Sequence, residues 1–332
     1  MNTNGLGKFT GAAWVIGGLM AVSGPAMAQS VPDGKSFPSQ AIRIIVPFTP
    51  GAINDTLARR IGQKLSENIK QPVVVENRPG GGATIGTDFV AKAPADGYTL
   101  LQVSSAHAVN PSLVKLPYDS TKSFDFITLA ASAPLILLAN ASVPAKTLPE
   151  LVALAKAKPG TLSYSSTGNG ASAHLMGELL KSMAGIDVLH VPYKGAAQAM
   201  TDMVSGQVQF TFTSYTAAVS YIKSGRARPL AVTGTQRIAA LPDVPTVAEA
   251  GYPGYDATAW WGYAAPAGTP PATLDTLNRE LVKVLRDPAL KAGFAEEGVQ
   301  IVDSTPQEMS AYLQKEMALW GKVVKDGNIK AD

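Results

Sequence analysis

The chain predicts an α/β protein built from parallel sheets covered by helices. Short apolar runs of strand length alternate with longer segments whose apolar residues recur at helical spacing. The 332 residues are 46% hydrophobic and 16% charged, enough for two full cores at roughly 150 residues each. One unit also recurs: a strand of the kind buried on both faces runs through a short glycine-containing loop into an amphipathic helix, once in each half. The order of elements therefore suggests two sheets.

Residues 1–28 read as a secretory leader. Lys8 supplies the positive start, and Pro25-Ala26-Met27-Ala28 ends in the small-x-small pattern of a cleavage site. The apolar run between them, residues 12–22, is short of the roughly 20 residues a spanning helix needs. The mature chain is expected to start near Gln29 and to work outside the cytoplasm.

After a Pro/Gly/Ser-rich lead at 31–39, residues 41–47 suit a strand buried on both faces. The turn Thr49-Pro50-Gly51 precedes a helix over 55–68, with Leu57, Ala58, Ile61 and Leu65 on one stripe. A strand at 72–76, a glycine-rich loop at 79–82 and a strand at 98–103 follow. Thr147-x-x-Glu150 forms a capping box with Pro149 in the first turn, and Pro159-Gly160 stops that helix. A strand at 161–165 leads through Gly168-Asn169-Gly170 into a helix with Leu175, Met176, Leu179, Leu180 and Met183 on one side. Strands are expected at 188–191, 208–213 and 230–233.

The last third opens with Pro/Gly-dense turns over 241–254 and a strand at 260–264. Its helices are opened by Thr269-Pro270, Asp287-Pro288 and Thr305-Pro306-x-Glu308, the last carrying Tyr312, Leu313 and Trp320. The pair Trp260-Trp261 is read as core and interdomain packing, with one ring at a cleft edge as the alternative.

Composition closes several routes. There is no cysteine, which removes disulfides, thiolate metal sites and cysteine nucleophiles. The formal net charge is +3, from 28 Lys and Arg against 25 Asp and Glu, too small a surplus to argue for nucleic acid. Gly168-x-Gly170-x-x-Ala173 imitates a dinucleotide fingerprint, with Asp187 about 20 residues on, but the strand lies mid-chain in a secreted protein. Gly81-x-x-x-x-Gly86-Thr87 lacks the lysine of a phosphate loop. His107, His174 and His190 show no i, i+4 pairing, so no metal is expected, and no G-x-S-x-G elbow marks an acyl-transfer serine. No cofactor is expected.

The doubled strand–loop–helix unit remains. A helix N-terminus exposes unpaired N–H groups and a partial positive charge, so a loop there can bind an anion without Arg or Lys. The first loop is Phe48-Thr-Pro-Gly-Ala-Ile-Asn-Asp55 and the second is Thr167-Gly-Asn-Gly-Ala-Ser172. Facing each other at the carboxyl ends of two sheets, they would take the two ends of a dicarboxylate. The competing reading makes them ordinary helix caps, with Asn54 or Asp55 as N-cap.

Five motifs then resemble a known family: Phe48-x-Pro50-Gly51-x-x-x-Asp55, Val73-Val-Val-Glu-Asn-Arg-Pro-Gly-Gly81, Asp96-Gly-Tyr-Thr-Leu-Leu101, Val191-Pro-Tyr-Lys-Gly195 and Pro242-Asp-Val-Pro-Thr-Val-Ala-Glu-Ala-Gly251. Together they resemble the Bug/TctC receptors of tripartite tricarboxylate transporters, over nearly the whole mature chain. The resemblance implies a type II periplasmic-binding-protein fold, with domain I over 38–128 plus 252–332 and domain II over 129–251. It implies a monomer in the periplasm that captures a small organic acid and delivers it to membrane permease subunits. The first carboxylate loop then falls on Phe48, Thr49, Gly51, Ala52, Asn54 and Asp55. The second falls on Ser166, Thr167, Gly168, Asn169, Gly170 and Ser172, with Tyr193 and Lys194 beside it and Ser104 and Ser105 on a strand lining the cleft. Ala52 departs from the family's usual glycine.

Two alternatives stand beside this receptor. A secreted enzyme would need a titratable group in the cleft, for which Asp55, Lys194 and His107 are the candidates. A ligand sensor for a two-component system would share the binding chemistry. Dicarboxylates, tricarboxylates, acidic amino acids and aromatic acids all fit opposed backbone loops.

Overall fold

Ile42, Ile44, Ile45 and Val46 lose all contact with solvent, because the strand they form has a neighbour on each edge and helices on both faces. The computed structural model describes residues 37–330 apart from Ala52 and Lys194. The leader read over 1–28, Ala52 and Lys194 therefore lie outside the described residues.

That strand is β1 (Ile42–Val46), followed by α1 (Ile53–Ile69), β2 (Val73–Asn77), α2 (Thr84–Ala91), β3 (Thr99–Ser104) and α3 (Ser105–Leu113). Next come β4 (Phe124–Pro134), β5 (Ile136–Asn140) and α4 (Leu148–Ala157). The second unit runs β6 (Ser163–Ser166), α5 (Ser172–Ala184), β7 (Leu189–Pro192), α6 (Ala196–Ser205), β8 (Phe210–Thr213), α7 (Tyr215–Lys223) and β9 (Ala227–Val232). The chain closes with β10 (Thr258–Pro266), α8 (Pro271–Leu285), α9 (Pro288–Ala295), β11 (Gln300–Ile301) and α10 (Pro306–Asp326).

Two sheets form, in the orders β11-β4-β10-β3-β1-β2 and β7-β6-β8-β5-β9. Within them β3-β1-β2 and β8-β6-β7 are the same parallel arrangement built twice. The doubled unit in the sequence is thus a doubled topology.

The expectation of wholly parallel sheets needs correction. β10 runs antiparallel to both β3 and β4, and β5 runs antiparallel to β8 and β9. These strands are buried on both faces like parallel ones, so an apolar run does not reveal direction. β4 and β5 belong to different sheets and are separated only by Leu135, where the chain crosses from one sheet to the other.

Local signals set several helix starts. Thr147 caps α4 by accepting from the Glu150 N–H, and Thr305 and Glu308 form a reciprocal capping box on α10. Met183 is a correction: it is 37% exposed, in the last turn of α5 before Gly185, while Leu175, Met176, Leu179 and Leu180 are buried. Helix α10 packs on both α3 and α5. Its Glu316 accepts from the indole N–H groups of Trp260 at 2.8 Å and Trp320 at 2.9 Å. Burial raises the Glu316 carboxyl above its ordinary value, against those two bonds.

Candidate functional site

Four strand-to-helix junctions meet at one cleft. They follow β1, β3, β6 and β8, two central strands of each sheet, and parallel strands deliver their carboxyl ends to the same side. The cleft has a volume of about 460 Å³. Phe48, Ile53 and Asn54 line it from the first junction; Ser104, Ser105 and Ala106 from the second; Thr167, Gly170, Ala171 and Ser172 from the third; and Ser214, Tyr215 and Thr216 from the fourth. Ala133, Pro134 and Leu135 at the crossing, with Thr258, Ala259 and Trp261 of β10, form the wall between them.

The helix starts differ in what they leave open. The Ser214 hydroxyl caps α7 by accepting from the Ala217 N–H. The N-caps of α3 and α5 are Ser104 and Ala171, and neither side chain makes a cap hydrogen bond. First-turn N–H groups of these two helices are therefore left uncapped by side chains at the cleft, where the helix dipole favours negative charge.

The first loop is held from behind. Gln102 Nε2 donates to the Asn54 carbonyl at 2.9 Å, and Trp261 Nε1 donates to Asn54 Oδ1. Asp55 does not face the cleft. Its Oδ2 accepts from the Gly51 N–H and from Arg59 Nε, both at 3.0 Å, so it ties the loop to the first turn of α1. The Arg59 bond, opposed by burial, holds the Asp55 carboxyl below its ordinary value. Arg59 also donates to Asn77 Oδ1 at 2.9 Å, and Asn77 donates to the Phe48 carbonyl at 3.1 Å.

The second loop is shaped by histidines. Gly170 N–H donates to His174 Nδ1 at 3.0 Å. The Ser166 hydroxyl accepts from the Gly168 N–H at 3.1 Å, donates to its carbonyl at 3.0 Å, and lies 2.6 Å from His190 Nε2. The two imidazoles stack with centroids 3.7 Å apart. Gly168 and Gly170 have φ of +127° and +73°, a region that favours glycine. A β-carbon on Gly170 would stand 2.7 Å from Leu113 Cδ1, so the first unit closely approaches the second here.

Of the residues expected at the site, Phe48, Asn54, Ser104, Ser105, Thr167, Gly170 and Ser172 come together around the cleft. Thr49, Gly51, Asp55, Ser166, Gly168, Asn169 and Tyr193 do not line it. Tyr193 instead donates its hydroxyl to Asp202 at 2.9 Å. His107 is buried beside Tyr118, Phe124 and Phe126, away from the lining, and desolvation lowers it to about 4. Sequence reasoning missed Tyr215 and the crossing residues, while Trp261 at the cleft is the alternative weighed for the Trp260-Trp261 pair. A serine directly after the strand at 208–213 is the N-cap signal that could have revealed the fourth junction. Among the described residues, no group of three or more His, Asp or Glu could hold a metal ion.

Two repeated α/β lobes with helix N-termini converging on a shared cleft define a binding protein of the type II periplasmic fold. The profile described as the tripartite tricarboxylate transporter family receptor, TctC, matches residues 57–329, and the chain belongs to that family. It is 36% identical to Protein BugT of Bordetella pertussis over 319 residues, covering 95% of this chain and 97% of that protein. A solved R. palustris protein with adipate is 34% identical with a TM-score of 0.75, covering 89% of this chain and all of that one. MatC from Rhodopseudomonas palustris, solved with bound malate, is 30% identical with a TM-score of 0.71, covering 87% of this chain and all of that one.

Proposed function

We propose that the chain is a periplasmic receptor that captures a small organic carboxylate between its lobes and hands it, unaltered, to membrane permease subunits. The observation that carries this is the convergence of four helix N-termini on one cleft, with the starts of α3 and α5 left uncapped by side chains. Family membership and relatives solved with adipate and malate support the same class of ligand. The leader at 1–28 and cleavage after Ala28 account for a periplasmic location. The protein acts as a monomer of two lobes, residues 38–128 with 252–332 and the segment between. The change of sheet between β4 and β5 at Leu135 supports a first boundary close to the expected one at 129. The carboxylates are held by main-chain N–H groups and by Ser104, Ser105, Thr167 and Ser172, with Asn54 fixing the first loop.

Calorimetry over a panel of organic acids, followed by mass spectrometry of the recovered ligand, tests this. Saturable binding of an unchanged acid is expected. A product peak would replace the receptor with an enzyme.

A further inference from the structure

We infer that the acid this cleft selects carries an aromatic ring as its body, a reading that rests on the carboxylate capture proposed above. Apart from Thr258 and Glu297, the polar side chains of the cleft sit at the helix starts, and the remaining surfaces between them are carbon. Phe48 comes from the first junction, Tyr215 from the fourth, and Trp261 from β10, so aromatic side chains reach the cavity from both sheets. Pro134 and Leu135 complete that wall at the crossing.

Several polar atoms near these rings are already engaged. The Trp261 indole N–H is bound to Asn54 Oδ1, which leaves its ring carbons for a ligand. The Gln102 amide that supports the same residue is bound to the Asn54 carbonyl. Glu297, which also lines the cavity, is paired with Arg60 at 2.8 Å. A hydroxyl or second carboxylate in mid-cleft would lose water without gaining these partners, which is costly. A flat ring instead gains offset or edge-on contact with the aromatic walls. Size permits it: the cleft has a volume of about 460 Å³.

Isothermal titration of the mature protein with benzoate, phenylacetate, 3-phenylpropionate, malate and adipate decides the matter. The best aryl acid is expected to bind at least tenfold more tightly than either aliphatic diacid. Malate or adipate binding as tightly, or more so, overturns the ring while leaving the carboxylate receptor intact. Binding by none of the five overturns the ring, and the wider panel of acids above then decides whether the receptor reading falls with it. Tyr215→Ser should weaken the best aryl acid at least fivefold when measured well below its melting temperature, and Tyr215→Phe should restore it. An unaltered Kd in Tyr215→Ser also overturns the inference.

Discussion

Trp261 donates its indole N–H to the side-chain oxygen of Asn54, a residue 207 positions earlier in the chain. Gln102 holds the carbonyl oxygen of the same residue. Asn54 is thus gripped from β10 and β3 at the point where β1 gives way to α1, and the grip sets the direction in which the first helix start faces the cleft.

Loosening that grip should affect binding more than folding. Gln102→Leu and Trp261→Phe each remove one hydrogen bond, worth about 1 kcal/mol, or roughly fivefold in Kd. A double-mutant cycle should show coupling between them, since both act through Asn54. Strictly additive losses would mean that the two side chains act independently.

Gly170 is the most exacting position in the second loop. Gly170→Val must adopt φ of +73° and displace Leu113, and a thirtyfold weaker Kd is expected, about 2 kcal/mol. Adding Leu113→Ala should recover part of the loss. Gly225 has a similar φ of +69° with nothing within 4 Å of an added β-carbon, so Gly225→Ala should lower stability and spare affinity. Normal binding by Gly170→Val would count against a loop whose backbone holds the ligand.

Stability should weaken as solutions are acidified toward pH 4. Burial lowers His107 from 6.5 to about 4, while its Nε2–H donates to the Ser120 carbonyl at 2.8 Å. Between those values only the unfolded chain takes up the proton, so stability falls as pH drops through that window, by roughly 3 kcal/mol in all. His107→Gln keeps a donor for Ser120 without the titration. Urea unfolding at pH 7 and pH 4.5 should show a smaller drop for the variant; equal drops would remove His107 as the cause.

What the sequence made legible was local. The run at 41–47 announced β1, the threonine–glutamate pairs at 147 and 305 announced α4 and α10, and the glycines at 168 and 170 announced a loop of special geometry. The walls of the cleft were not legible, because their residues meet only through topology. Trp260 and Trp261 are adjacent on a strand buried on both faces, so no alternation of polar and apolar residues says which ring meets the cleft. Ala133, Pro134 and Leu135 carry no chemistry of their own; they matter because the chain changes sheets there. Asp55 reads in the sequence as either a loop acid or an N-cap, and only its bonds to Gly51 and Arg59 show it tying the loop to the first turn of α1.

The tryptophans have a practical consequence. The chain holds four: Trp14 in the proposed leader, and Trp260, Trp261 and Trp320. Trp261 and Trp320 line the cleft, and Trp260 shares the Glu316 carboxylate with Trp320. If the chain is cut after Ala28 as proposed, it keeps only these three, and its tryptophan emission originates at or beside the ligand chamber. The mature receptor is its own optical probe, and arrival of a solute can be followed in real time without a dye or an engineered label.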